Sequence, residues 1–161
     1  GSKASIIRVM PNTPAQYGKG ISAIYSCNQT KKINTEKTKS IFSAVGKVII
    51  LKQEHEMDIV TAISGSGPAY VFLFIENLIK SAINNGLDEK IAIMLVKETF
   101  LGSSYMASIS RKSPEELRID VTSPGGVTEA ALKDFNKNNI LKNTIDKAIK
   151  SAVKKSITLS T

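Results

Sequence analysis

Tryptophan is absent from the 161 residues, and the chain has one cysteine, Cys27, and one histidine, His55. A single cysteine closes no intrachain disulfide, which fits a reducing compartment such as the cytoplasm. So few thiols and imidazoles nearly exclude a zinc site of the usual Cys/His kind. A histidine-dependent triad has only His55 to use. That residue lies in Gln53-Glu54-His55-Glu56, a charged segment that reads as solvent-exposed surface. Aromatic residues are few, so a core must be built from Ile, Val, Leu, Ala and a handful of Phe. No apolar run approaches the length needed to cross a bilayer; the richest, residues 69–75, stops at Glu76. The first residues show no signal-peptide pattern, and Gly1-Ser2 resembles a cloning scar, which implies a trimmed chain.

What is plentiful is positive charge, a net +8. That raises nucleic acid as a partner. The lysines are scattered, however. Those near the end (Lys137, Lys142, Lys147, Lys150, Lys154, Lys155) share a helical pattern with Leu141, Ile145, Ala148 and Ala152 on the other face, which describes a solvated surface. No aromatic platform is interleaved with them, so neither nucleic acid nor membrane is an expected partner.

The chain shows two regimes. Up to residue 52 the pattern is mixed α/β. Residues 6–10 form a short apolar run stopped by Pro11, a strand signal. Residues 20–25 and 47–51 are two more. Between them, residues 35–45 have helical spacing, with Asn34 or Thr35 as N-cap and Gly46 past the end. Such pieces bury too little to stand alone and read as the last β-β-α-β part of a larger α/β domain. From residue 53 to 161 the pattern is helical, so the fold class is mainly α. A short helix over 57–64 is expected to break at Gly65-Ser66-Gly67, with Ser66 able to cap the next helix. Pro68 suits the first turn of that helix, which ends at Gly86. Residues 69–75 are apolar all round, as in a core or a subunit interface. Asp88 caps the following helix, Gly102-Ser103-Ser104 allow another helix to approach, and Ser113-Pro114-Glu115-Glu116 has the layout of a capping box. A helix through Phe135, a break at Asn138-Asn139 and a final amphipathic helix over 140–155 complete the pattern.

Two segments invite a chemical reading. Ser64-Gly65-Ser66-Gly67-Pro68-Ala69-Tyr70 suggests a phosphate loop, but Tyr70 replaces the third glycine of G-x-G-x-x-G and a helix precedes it where a strand belongs. Close helix packing is the better reading. Val121-Thr122-Ser123-Pro124-Gly125-Gly126-Val127-Thr128 leads into a helix. Free N–H groups there, with glycines and hydroxyls around them, can hold a small carboxylate without a cationic side chain. An ordinary capped loop explains the same residues equally well.

Three segments, Arg8-Val9-Met10-Pro11-Asn12-Thr13-Pro14-Ala15, the stretch from Met57 to Val71 that contains Ser64-Gly65-Ser66-Gly67-Pro68, and Val121-Thr122-Ser123-Pro124-Gly125-Gly126, stand in the order and spacing of the Δ1-pyrroline-5-carboxylate reductases. Nearly the whole chain resembles that family. Its N-terminal Rossmann strand and glycine-rich loop have no counterpart in this sequence. The resemblance implies a remnant of the NAD(P)-binding domain over 1–52 and a helical dimerisation and substrate-binding domain over 53–161. It implies reduction of the C=N bond of pyrroline-5-carboxylate to proline by NADPH or NADH, in proline biosynthesis. Homodimers are implied, and in many members five of them join as a decamer. The substrate carboxylate is expected at Ser123, Gly125, Gly126 and Val127, with Thr128 against the ring nitrogen as the catalytic hydroxyl and Glu54 near the product. Asn12 and Asp120 are assigned to the cofactor, which binds mainly to the absent domain, so this chain alone is expected to be inactive. Val127 departs from the Thr or Ala of many members, which removes a hydroxyl and leaves its N–H. The same residues also allow a non-catalytic helical scaffold, or a related imine or β-hydroxyacid dehydrogenase.

Overall fold

The computed structural model describes residues 4–160, so Gly1 and Ser2 lie outside the described residues. The chain forms two compact units. One takes the residues up to Tyr70 together with those from Lys147 onward; the other is Val71–Asp146.

The first unit contains a three-stranded sheet of β1 (Ile7–Met10), β2 (Gly20–Ser26) and β3 (Gly46–Ile50), in that order. β1 runs antiparallel to β2, with Met10 opposite Ala23, and β3 runs parallel to β2. The central strand carries the core: Ser22, Ala23 and Ile24 are all buried. Pro11 ends β1 as expected, since it has no N–H to give the ladder. The next residue, Asn12, turns the chain by accepting the Ile21 N–H on its side-chain oxygen at 3.0 Å. A 3₁₀ turn over Thr13–Tyr17 leads into β2.

Helix α1 (Lys32–Ser43) links β2 to β3. It begins three residues before the expected start. Lys31, not Asn34 or Thr35, is the N-cap, and no side chain caps it. Asn34 instead lies inside the first turn, its carbonyl accepting the Thr38 hydroxyl. Gly46 is not the glycine that ends α1. It is the first residue of β3, at φ +152°, and pairs with Gly20. A Cβ at Gly46 would lie 2.0 Å from the Gly20 carbonyl oxygen.

The sequence pattern called for a break at Gly65-Ser66-Gly67, and the chain does break there, but only as a one-residue bend at Ser66 whose backbone stays right-handed, at φ −86° and ψ −18°. Helix α2 (Glu56–Val60) runs into a π turn over Thr61–Gly65, where the Ser66 N–H reaches back five residues to the Thr61 carbonyl at 2.9 Å. Helix α3 (Gly67–Asn84) follows. Ser66 thus donates its own N–H to the π turn. The glycine is needed for another reason: a Cβ at Gly65 would press on Met10 Sδ at 3.2 Å. Met57 and Ala62, both buried, complete this core, with α2 packed on β2. The end of α7 (Ile140–Ser160) belongs to the same unit.

In the second unit, α3 ends as its glycine predicts. Gly86 at φ +94° lets the Leu87 N–H return to Ala82 and its own N–H to Ile83, which satisfies the last carbonyls. Asp88 caps α4 (Glu89–Ile109), accepting from Lys90 and Ile91. The capping box is complete at α5 (Pro114–Asp120): Ser113 Oγ accepts the Glu116 N–H, and the Glu116 carboxylate accepts the Ser113 N–H at 2.7 Å. Helix α6 (Val127–Asn136) follows, and Asn138 at φ 53° turns the chain into α7. Phe74 holds this unit together, its ring 5.7 Å from Phe100 and 6.2 Å from Phe135, with Ala92 and Val96 buried one turn apart on α4.

No residue of α3 is fully buried within the single chain, although most are apolar. Phe72 is 62 % exposed and Leu73 58 %; Leu95 and Leu101 on α4 are also exposed. An apolar surface of that extent marks an interaction face. The helical stretch Glu56–Asn84 is also long and apolar enough to cross a membrane by length and composition, contrary to the expectation that no run comes near that length.

Candidate functional site

The turn before α6 is built from its glycines. Gly125 adopts φ +70°, a conformation strained for any residue with a Cβ. A Cβ at Gly126 would lie 2.5 Å from Ser123 Oγ, so the serine hydroxyl folds over the Gly126 backbone only because that residue has no side chain. The Gly126 N–H donates to the Ser123 carbonyl at 3.0 Å, and the Gly125 N–H donates to Glu129 Oε2 at 2.7 Å. Both glycine N–H groups, which the resemblance assigned to the substrate, therefore have protein acceptors.

The next three donors differ. Gly126 is the N-cap of α6 and no side chain caps the helix, while the first intrahelical bond comes from the Ala130 N–H. The N–H groups of Val127, Thr128 and Glu129 are thus left over at the positive end of a ten-residue helix. Val127 is 90 % exposed, and Ser123 and Thr128 are exposed with it. A small anion set against these donors would have two hydroxyls in reach of the same turn. Arg118, Gly125, Gly126, Glu129 and Lys133 line an open depression of 690 Å³ on this turn, so two cationic side chains face one carboxylate, and Arg118 is itself 3.6 Å from Glu115 Oε1; Ser123 and Thr128 are not part of its wall.

Asp120, the last residue of α5, is held by Lys112 Nζ at 2.6 Å. In the first unit, Glu54 is exposed and accepts from Arg8 Nη1 at 2.9 Å. Asn12 is half-buried. Besides its bond from Ile21, its amide group lies 3.5 Å from Ser64 Oγ, so it joins the end of β1 to the π turn. His55 is exposed, as its charged neighbours imply. Within the second unit the structure brings Ser123, Gly125, Gly126, Val127 and Thr128 onto one turn. Within the first, Glu54 and Asn12 each have separate partners. Sequence reasoning passed over Arg8, whose partner is 46 residues away, and Glu129, whose place four residues after Gly125 was the one available signal.

The fit to a dinucleotide is narrow. The connection from β2 to α1, residues 27–31, contains no glycine, and Ser66 is a single bend between two helical segments, with no strand before it. Among the described residues, then, neither place forms a phosphate cradle of the strand–loop–helix kind. Asn12, at the carboxyl end of β1, is the one proposed cofactor contact beside a sheet. Among the described residues no group of three or more His, Cys, Asp or Glu is placed to hold a metal.

A small sheet followed by helices with broad exposed apolar faces, and a glycine turn that leaves helix-start donors free, defines a mainly helical domain with a large apolar surface to cover. The family model of pyrroline-5-carboxylate reductase dimerisation matches residues 54–159. The chain is 39 % identical over 160 residues to the pyrroline-5-carboxylate reductase of Pseudomonas aeruginosa, covering 99 % of this chain and 58 % of that one. It is 41 % identical over 155 residues to the Arabidopsis thaliana enzyme, covering 96 % and 55 %. Among solved structures, a pyrroline-5-carboxylate reductase from Coxiella burnetii superposes with a TM-score of 0.93 at 38 % identity, covering 99 % of this chain and 58 % of the other. The Plasmodium falciparum pyrroline carboxylate reductase with NADP bound gives 0.91 at 37 %, covering 100 % and 64 %. The protein belongs to the pyrroline-5-carboxylate reductase family. It spans a little over half the length of the curated relatives it matches.

Proposed function

We propose that the protein acts in the reduction of Δ1-pyrroline-5-carboxylate to L-proline. The observation that carries this reading is the 123–128 turn, where the Val127 and Thr128 N–H groups have no acceptor among the described residues and the Ser123 and Thr128 side chains are exposed on the same turn. The substrate is a small ring bearing one carboxylate and one C=N bond. The carboxylate takes the helix-start donors and the Ser123 hydroxyl, where the helix dipole favours negative charge. With the carboxylate fixed, the ring nitrogen comes within reach of the Thr128 hydroxyl. That hydroxyl accepts from the iminium N–H before reduction and donates to the amine lone pair after it. It is too weak an acid to be the ultimate proton source near neutral pH, so the iminium or water brings the proton. A reduced nicotinamide, NADPH or NADH, supplies the hydride to C5. Asn12 at the end of β1 is the contact proposed for it here, with Asp120 second. The main contribution of the turn is position, since the reacting carbon must be held at one distance and one face. Glu54, oriented by Arg8, is proposed near the charged nitrogen of the product.

We assign the exposed apolar faces of α3 and α4 to a second copy of the chain and not to lipid. Support comes from the match to a dimerisation model across these helices. Assembly of five dimers, a cytoplasmic location and a functional boundary at residues 52/53 belong to the same proposal. The test is turnover by the gene product, with pyrroline-5-carboxylate and either nicotinamide. Loss of the reduced-nicotinamide absorbance with matching formation of proline is expected, and the two cofactors compared side by side give the preference. Nicotinamide oxidation without proline, or no turnover with either cofactor, would refute the reading.

A further inference from the structure

We propose that Glu129 is a positioning residue for substrate binding: its carboxylate holds the Gly125 N–H so that the 123–126 turn keeps the shape in which the substrate carboxylate meets Val127, Thr128 and Ser123. The inference rests on the function proposed above and deepens it.

Glu129 is the third residue of α6. Its Oε2 accepts the Gly125 N–H at 2.7 Å, the length of a charge-assisted bond. In an ordinary capping box the residue at this place reaches back to the N-cap N–H. Here that donor, on Gly126, already bonds the Ser123 carbonyl, and Glu129 reaches one residue further. The two bonds fix both glycines. Without the second, Gly125 has no partner to hold its positive φ, and a glycine released in that way samples several conformations at little cost. The Ser123 hydroxyl, packed over Gly126, would move with it.

The arrangement also sorts the donors. Gly125 and Gly126 are committed to the protein, whereas Val127 and Thr128 are not. A substrate carboxylate therefore has two adjacent N–H groups and one hydroxyl to engage without displacing Glu129. The bound carboxylate and Glu129 carry the same charge around one turn, so the acceptor role of Glu129 helps binding while its charge opposes it. Lys133, which lines the same depression as Glu129, offsets part of that repulsion; Arg118, also in that wall, is shared with Glu115 at 3.6 Å.

The two roles separate by substitution. Glu129→Gln keeps an oxygen acceptor and removes the charge; Glu129→Ala removes both. In the gene product, Glu129→Ala should raise the Michaelis constant for pyrroline-5-carboxylate about three- to tenfold, the scale of one lost hydrogen bond, with turnover at saturation falling less than about twofold. Glu129→Gln should bind at least as well as the parent. Inhibition by proline should weaken in parallel in Glu129→Ala, and inhibition by prolinamide, which has no carboxylate, should not. A parent-like Michaelis constant in Glu129→Ala, even with a lower melting temperature, would reduce Glu129 to a helix cap and overturn the proposal. A lower Michaelis constant would overturn it too, by making Glu129 a plug that substrate must displace. If the parent itself does not reduce pyrroline-5-carboxylate, it is the underlying function that fails.

Discussion

The Ser156 hydroxyl donates a 2.7 Å hydrogen bond to Asp58 Oδ1, tying the end of α7 to α2 across 98 residues of chain. Both residues are half-buried, so water competes only partly for either atom. Ser156→Ala leaves a carboxylate oxygen with a poorer environment and should lower the free energy of unfolding by about 1–2 kcal/mol. Asp58→Asn keeps an oxygen acceptor and should cost less. Urea denaturation of both variants measures the difference. Equal stability of Ser156→Ala and parent would mean the bond is replaced by water at no cost.

Phe72 and Phe74 lie two residues apart on α3 and should fail in different ways. Phe74 meets Phe100 and Phe135 inside its own unit, whereas Phe72 is 62 % exposed. Phe72→Glu should therefore dissociate the proposed homodimer while helical content is kept. Phe74→Glu should lower stability as well as assembly, because a charge enters a ring cluster. Light scattering with circular dichroism separates the two. A stable monomer for the parent at micromolar concentration would remove the basis for both.

The structure shows why some elements could be placed from sequence and others not. Asp88, Ser113 with Glu116, Pro68 and Gly86 signal helix ends through bonds spanning a few residues, and each does what its type implies. The start of α1 was missed because Lys31 caps it with no side chain. Gly46 follows a helix as a terminating glycine would, yet its conformation serves the pairing with Gly20, a partner 26 positions upstream. Two glycines around a serine look like a helix breaker; Gly65 is there because Met10 needs the space. For the site, the 123–128 turn was legible from Pro-Gly-Gly alone, while the pairing of Arg8 with Glu54 depends on tertiary folding.

Thr128 offers the sharpest test of the chemistry. Its hydroxyl has no hydrogen-bond partner among the described residues, so Thr128→Ala removes the proposed ligand contact without disturbing an internal one and keeps the backbone donor. One lost bond to a charged iminium is worth roughly 1.5–3 kcal/mol, or about ten- to a hundredfold in rate. The loss should fall on turnover more than on the Michaelis constant, and Thr128→Ser should retain most activity. Parent-like turnover by a folded Thr128→Ala protein would leave the turn as a carboxylate cradle only.

Acid should weaken the start of α5 in a defined way. The Ser113 backbone N–H, and after it the Ser113 hydroxyl, donate to the Glu116 carboxylate and hold it below its ordinary range. A carboxyl depressed in the folded state stabilises above its unfolded value, and that contribution disappears as the pH falls through the lowered one. Melting temperatures of parent and Glu116→Gln should differ at neutral pH and converge in acid below the normal glutamate range. A gap that persists there would assign the effect to shape and not to charge.

The pairing of Gly46 with Gly20 has a consequence for how this sequence can vary. What a Cβ at Gly46 would strike is the Gly20 carbonyl oxygen, a main-chain atom present whatever residue stands at position 20. No exchange of a neighbouring side chain can clear that space. A suppressor screen begun from Gly46→Ala should return revertants at that codon, or insertions and deletions that reroute the strand, and no compensating point substitution elsewhere in the sheet.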